Sequence, residues 1–474
     1  MMLCTALTAA ISNDASAPQD SINELTGISY DDLNNSAGIL FVAIGFSCWL
    51  FAPFASMLGR RIGLILGMVF SVAGSIWFGA IKTTGDVYGS QLFIGIAEGS
   101  TEALVPFCLA SIFFRHQLGS VITMYVLSYA LGTYLGPLIA NYVSIADTFR
   151  WVGWSGAIAS AITLLLVFFL FEEDLFDYSL YQSHRDNLLM KFSLMQKGIR
   201  TNDADIELGY HELPWSVGQR LAPVTINAHQ NHDIGSFCRQ YFRLLYVNLK
   251  TIYFPPVLLA GLNWGLQSAI LSFYLTTEDT YLYDPPFNYS GSKVALMNIP
   301  CLIGAVIGCL YAGSLTDYFI LWVARRKKGV VESEYRLVFN FLSGILGCAG
   351  LLMFGFGISK NLDWRVHYIG LGLIGYLFSS SCNITMLYVI DTYDQLILES
   401  LAMVGLINNI IGCIFTFACS PWLDSSGTQN TYIALAVITV GVMFSAIPFM
   451  IWGKNWRKAT KKAYIDLVEA RDAY

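Results

Sequence analysis

AGILFVAIGFSCWLFAPFASMLGRRIGLILGMVFSVAGSIWFGAI, residues 37–81, decides the fold. It holds two apolar runs, Ala37–Met57 and Leu64–Ile81, parted by Gly59-Arg60-Arg61. Each run reaches or approaches the ~20 residues that an α-helix needs to cross ~30 Å of hydrocarbon. Within hydrocarbon only helices or closed barrels satisfy every backbone polar group. The runs are continuous rather than alternating, so they read as helices and not as barrel strands. Val121–Val143 and Trp151–Phe171 repeat the pattern. The whole chain of 474 residues is 55% hydrophobic and 13% charged. Soluble domains carry about 25% charged residues. A soluble globule is excluded.

Spans are expected at 36–57, 62–81, 87–112, 119–143, 150–171, 251–276, 293–319, 338–358, 367–392, 400–421 and 431–452. Met1–Ile11 is apolar but only about 16 Å long as a helix. It lacks the basic segment of a signal peptide, so it reads as the back half of a truncated first span. The expectation is an all-α membrane protein of two six-helix bundles, with about eleven full spans and a partial one. The first half is residues 1–171, a linker follows at 172–250, the second half is 251–452, and 453–474 is a tail. The end of the linker, Ser236–Lys250, reads as a surface helix.

Orientation follows from Lys and Arg, which gather on the cytoplasmic side. Arg60, Arg61, Arg115, the linker bases, Arg325–Lys328, Arg336 and six tail bases fall on one side. The other side holds Lys82, Arg150, Lys293, Lys360 and Arg365. The linker and C-terminus are therefore expected in the cytoplasm. The loop Asp14–Asn35, with acids and no base, is expected outside, as are the Asn34 and Asn288 glycosylation acceptors. The formal net charge of −6 decides little, because the bilayer dictates where charges go. Ten cysteines show no metal-ligand spacing; nine fall in apolar runs and read as small buried side chains, and Cys238 lies in a polar loop. His229 and His232 stand in the linker without supporting ligands, and no metal or cofactor is expected. No P-loop and no GxSxG occurs, which argues against an ATP-driven pump and a membrane hydrolase.

The two halves echo each other. Gly59-Arg60-Arg61 closes the first inward-running helix, and Gly313-Ser-Leu-Thr-Asp317 closes its counterpart, followed by Arg325–Lys328. Further on, Gly132-Thr-Tyr-Leu-Gly136-Pro137 combines two small residues one turn apart with a proline. The glycines let a neighbouring helix approach closely, and the proline allows a bend. Both ordinary helix packing and a hinge fit that pattern. Arg60 and Arg61 fit either a topological role or a cytoplasmic latch.

With these motifs the chain resembles the major facilitator superfamily, whose parallel two-half repeat matches six helices, linker, six helices. Ser56 and Met57 depart from the acid and base usual in the loop signature. Ala140-Asn141 departs from the end of the antiporter motif. Phe254-Pro255-Pro256, Glu332-Ser-Glu334-Tyr-Arg336, Tyr388-Val-Ile-Asp391-Thr-Tyr393 and Pro421-Trp422 extend the likeness. They are similar to the fungal twelve-span drug:proton antiporter branch, which includes multidrug exporters and the yeast histidinol and polyamine transporter.

Glu98 and Glu102 are the most informative side chains. Glu98 falls near mid-membrane, Glu102 one turn deeper on the same face, and Gln91 two turns before Glu98. A carboxylate at the bilayer centre costs about 2.5–3.5 kcal/mol, so it lines a cavity or finds a partner. Two carboxylates one turn apart also disfavour simultaneous ionisation. Such a site holds a proton or an organic cation and resists being empty. The alternative is a pair of protonated acids bonded to neighbouring helices. The resemblance puts an arginine near the start of this helix; Gln91 in its place makes an anionic substrate the poorer fit.

Asp14 is a candidate for the outer end of the cavity, and Asn408 and Asn409 for its wall. Asp391 and Asp394 read as latch or cap residues. Tyr125, Tyr129, Tyr134, Trp264, Phe273, Tyr376 and Tyr388 offer aromatic faces to a cation. The expected function is proton-coupled transport of small organic cations or amphipathic compounds by alternating access. Polyamine or histidinol-type uptake is the close alternative, and a non-transporting nutrient sensor is the rival from another class. The expected partners are a small organic cation, protons and the bilayer, with no nucleic acid. The chain is expected to act as a monomer in the plasma membrane.

Overall fold

The computed structural model describes residues 1–16, 18–113, 117–171, 234–282, 285, 287–327 and 332–472. Arg115, Lys328 and the linker through residue 233, His229 and His232 included, lie outside the described residues.

Seven helices precede the linker: α1 (Met2–Asn13), α2 (Gln19–Thr26), α3 (Tyr30–Leu58), α4 (Arg60–Gly79), α5 (Thr84–Ile112), α6 (Leu118–Ala146) and α7 (Phe149–Leu170). After it come α8 (Ile234–Lys250), α9 (Pro255–Tyr281), α10 (Gly291–Leu296), α11 (Asn298–Leu310) and α12 (Thr316–Arg326). Then follow α13 (Phe339–Ser359), α14 (Trp364–Thr392), α15 (Ile397–Phe444) and α16 (Ala446–Asp472). Among the described residues, ten stretches are long and apolar enough to cross a membrane. The last of them, Ile397–Arg471, contains both of the final two expected spans. Gly427 parts these two, with φ +71° and ψ 160° inside an otherwise helical run. A Cβ at Gly427 would meet no atom within 4 Å, so the position requires the glycine backbone rather than its lack of bulk.

Helix ends follow from local chemistry. The Ser29 hydroxyl accepts from the Asp32 N–H at 3.2 Å and opens α3. Gly59, at φ +104°, turns the chain into α4 within one residue. Thr83 and Asp86 form a capping box at the start of α5. Helix extends beyond the expected spans in two places. The segment expected as an outer loop contains α2, whose Ile22 is fully buried. α16 begins at Ala446, inside the last expected span, and continues through the tail segment to Asp472.

In the first group α3 and α4 pack on α5, α4 on α7, and α1 on α6 and α5. In the second, α9 packs on α15 and α14, α11 on α14, and α13 on α14 and α15. The groups meet where α3 and α5 touch α15, and where α6 touches α10, α11 and α14. One buried cluster crosses that seam, running from Leu104 and Tyr125 to Trp264, Met386 and Leu401.

Candidate substrate and proton site

The seam is where the acids of α5 arrive. A helix of 29 residues is about 43 Å long, and Glu98 is its middle residue. Glu98 is 2% exposed and Glu102 7%. The Asn408 amide donates to Glu102 Oε1 at 3.1 Å, and the Asn409 amide donates to Oε2 at 3.1 Å. The Cys48 thiol donates to Oε2 at 3.8 Å. Ser268 on α9 in turn donates to Asn408 Oδ1 at 2.7 Å, fixing the amide with its nitrogen toward the acid. Two consecutive residues of α15, in the second group, thus clasp one carboxylate of the first. Gly405 permits this approach, since a Cβ there would stand 3.0 Å from Cys48 Sγ.

One turn away, Glu98 is held differently. The Ser12 hydroxyl of α1 and the Tyr129 hydroxyl of α6 reach its carboxylate. Glu98 Oε2 is buried without a hydrogen-bond partner. Tyr129 packs edge-on to Trp264, with centroids 6.2 Å apart, and stacks on Phe378 at 6.1 Å. Tyr134 meets the same Phe378 at 6.0 Å. An aromatic row drawn from both groups therefore runs on from Tyr129, the ring whose hydroxyl reaches Glu98. The Tyr125 hydroxyl and the Trp264 indole N–H are likewise buried without partners.

The other candidates divide. Gln91 is buried with neither amide atom bonded. Asp14 lies apart from the acid pair, in a cleft of about 220 Å³ that includes open solvent, lined by Ile11, Ser75, Phe78 and Ile94. Gly132 and Gly136 admit α1 against α6: a Cβ at Gly132 would stand 2.2 Å from Ala6 O, and one at Gly136 2.8 Å from Asp14 Oδ1. Pro137 lies inside α6 with helix on both sides. Phe273 packs on Trp422, Tyr376 on Tyr311 and Tyr388 on Phe449, outside the aromatic group at Glu98.

The two loop motifs sit differently. Arg60 lies over the Phe107 ring at 4.0 Å and touches Ser111, while Arg61 donates to Phe168 O at 2.5 Å. In the second copy a π-helical turn, Tyr311–Leu315, brings Gly313 against Thr123 of α6. Such turns recur at functional sites. Asp317 pairs with Arg336 at 2.9 Å, and Arg336 also pairs with Asp391 at 2.7 Å. Asp317 further abuts Gly119, near the start of α6 in the other group.

Sequence reasoning missed Cys48, Thr123 and Asn383. Asn383 donates to Thr123 Oγ1 at 2.7 Å across the seam. A lone Asn inside an apolar run was the signal available for it.

A helical membrane bundle whose two groups close over a central acid pair defines the class of secondary transporters. The Major Facilitator Superfamily profile matches residues 1–395, and the chain belongs to that family. It is a membrane transporter, not an enzyme. It is 43% identical to Protein HOL1 of Saccharomyces cerevisiae, over 100% of this chain and 88% of that protein. It is 40% identical to an uncharacterised transporter of the same superfamily from Schizosaccharomyces pombe, over 99% of this chain and 85% of that protein. Among solved structures it resembles the proton:xylose symporter XylE, with a TM-score of 0.64 at 12% identity over 94% of each chain. That likeness concerns the fold alone.

Proposed function

We propose that this transporter moves small organic cations or amphipathic compounds in exchange with protons, by alternating access between its halves 1–171 and 251–452. The observation that carries the reading is Glu98 at mid-helix, with one buried carboxylate oxygen lacking a hydrogen-bond partner and with Tyr129, whose ring packs on Trp264, beside it. An ammonium group fits both elements, by charge and by the aromatic faces. Arrival of the cation displaces the proton from Glu98, and reprotonation from the other side releases it. Glu102 is the proton partner one turn away. Its clasp by Asn408 and Asn409 ties the charge of that turn to closure of the seam. Gly132, Gly136 and Pro137 serve as the hinge for α6, and Gly59, Arg60, Arg61, Gly313 and Asp317 as latches on the cytoplasmic side. In this reading the protein works as a monomer in the plasma membrane, with linker and C-terminus in the cytoplasm. Polyamine or histidinol-type uptake uses the same chemistry in the opposite direction.

The test is flux of labelled spermidine and of lipophilic cations into vesicles carrying an imposed pH gradient. Gradient-dependent flux that disappears in Glu98→Gln supports the reading. Unchanged flux in that variant removes Glu98 from the mechanism.

A further inference from the structure

The helix α8 joins the linker to the first span of the second group, and its two faces differ in kind. Leu244, Leu245, Val247 and Asn248 are buried. On that side the Trp49 indole donates to Leu245 O at 3.1 Å and the Tyr241 hydroxyl donates to Leu50 O at 3.0 Å, both on α3. Just beyond α8, Thr251 Oγ1 donates to Glu399 O of α15 at 3.2 Å. The element is thereby pinned to both groups at the end of the seam. The opposite face carries Arg239, Phe242, Arg243, Tyr246, Leu249 and Lys250, a helical spacing of three and four. Phe242 is 67% exposed and Tyr246 57%, and Tyr253 just after the helix is 78% exposed. Lys250 Nζ lies 4.6 Å from the Tyr246 ring centroid. Ile234–Lys250 contains no acidic residue.

We infer that this face of α8 is a docking surface for anionic lipid headgroups of the adjoining leaflet. Two observations favour lipid over a soluble partner. The exposed apolar row continues from Tyr253 into Leu258 and Leu262, which are exposed on the spanning helix α9. The surface is therefore continuous with the one that faces hydrocarbon. Its composition, aromatic rings interleaved with bases and free of acid, matches the boundary between acyl chains and charged headgroups. Bases near an anionic surface attract it within a Debye length, while the rings settle at headgroup level. Because α8 grips α3, and Thr251 just beyond it bonds the α15 backbone, headgroup composition bears directly on this end of the seam. The inference rests on the membrane placement of the chain and not on the identity of its cargo.

Cys238 on α8 is exposed, whereas the other cysteines are buried or only partly accessible. A polarity-sensitive thiol probe at Cys238, with Cys348→Ser and Cys413→Ser removing competing sites, reports on this face. The labelled full-length protein is placed in vesicles of phosphatidylcholine alone and of phosphatidylcholine with phosphatidylserine. A blue shift that is larger with phosphatidylserine and suppressed by salt is expected. Neutralising Arg239 and Lys250 together (R239Q, K250Q) lowers the preference for phosphatidylserine about 25-fold, at about fivefold per base. The phosphatidylcholine response and thermal midpoint stay unchanged. Equal shifts in both lipids, an unaffected variant, or no shift in either lipid would overturn the assignment. The last of these results leaves the face to a soluble partner. The probe reads no flux, so failure of the cation reading does not alter this result.

Discussion

Glu98 and Glu102 are the same residue type, one turn apart on one helix, yet their surroundings are opposed. Both oxygens of Glu102 accept from amides that the other group supplies, and a thiol adds a third donor. Glu98 is met by two hydroxyls of its own group and keeps one oxygen without a partner. The difference teaches that burial does not by itself make an acid a cargo site. In the proposed reading, what separates the two acids is whether the facing half saturates the carboxylate or leaves it room to receive something.

The sharpest way to break this contrast is Glu98→Gln. Gradient-driven flux is expected to fall by at least about tenfold, because the carboxylate that keeps a buried oxygen without a partner loses its charge. Its thermal midpoint in detergent should hold, since a neutral isostere is no costlier to bury. Glu102→Gln should do the reverse in emphasis, lowering stability by about 1–3 kcal/mol because an amide now faces amide donors. Circular dichroism on heating reads that loss. Asn408→Ala and Asn409→Ala, combined with Glu102→Gln in a double-mutant cycle, should show coupling of about 1.5–3 kcal/mol, the worth of hydrogen bonds to a charged group. Additive effects would dissolve the clasp. A smaller change is expected from Tyr129→Phe, which keeps the ring face and removes one hydroxyl. Its apparent KM for a cation should rise about twofold to fivefold, for about 0.5–1 kcal/mol of binding.

The smallest effect serves as a control far from the pair. The Lys454 ammonium, hydrogen-bonded at 2.8 Å, holds the Glu332 carboxyl below the usual carboxylate range. The pair's contribution is therefore present at neutral pH and fades as acid carries the solution down through that lowered value. Glu332→Gln should leave the midpoint at neutral pH unchanged within error, since exposed pairs contribute little.

Most of the fold was legible because hydrocarbon imposes length and apolarity on every span, and Gly59 and the basic turns mark where spans end. The α2 helix was not, since Gln19–Thr26 is polar and is held by burial of Ile22 rather than by pattern. Continuation of α16 through the charged tail was equally hidden. There Arg457 pairs with Glu334 and Tyr464 bonds Asp394, contacts between residues far apart in sequence. At the site, two acids inside an apolar run announced themselves by the cost of burying them. That both Asn408 and Asn409 converge on Glu102 depends on how α15 is rotated against α5. No spacing within either helix encodes that rotation.

The break at Gly427 has a mechanical corollary. Inside Ile397–Phe444 only that residue departs from helical φ/ψ, between the arm that carries Asn408 and Asn409 and the arm that leads through Ser445 to α16. A joint so short has no slack, so in the proposed alternating-access reading a tilt of the arm that clasps Glu102 would pass across the glycine as through a bent lever. Beyond Ser445 the chain continues to Tyr464 and Arg471, which hold the Asp394–Gln395 corner just ahead of α15.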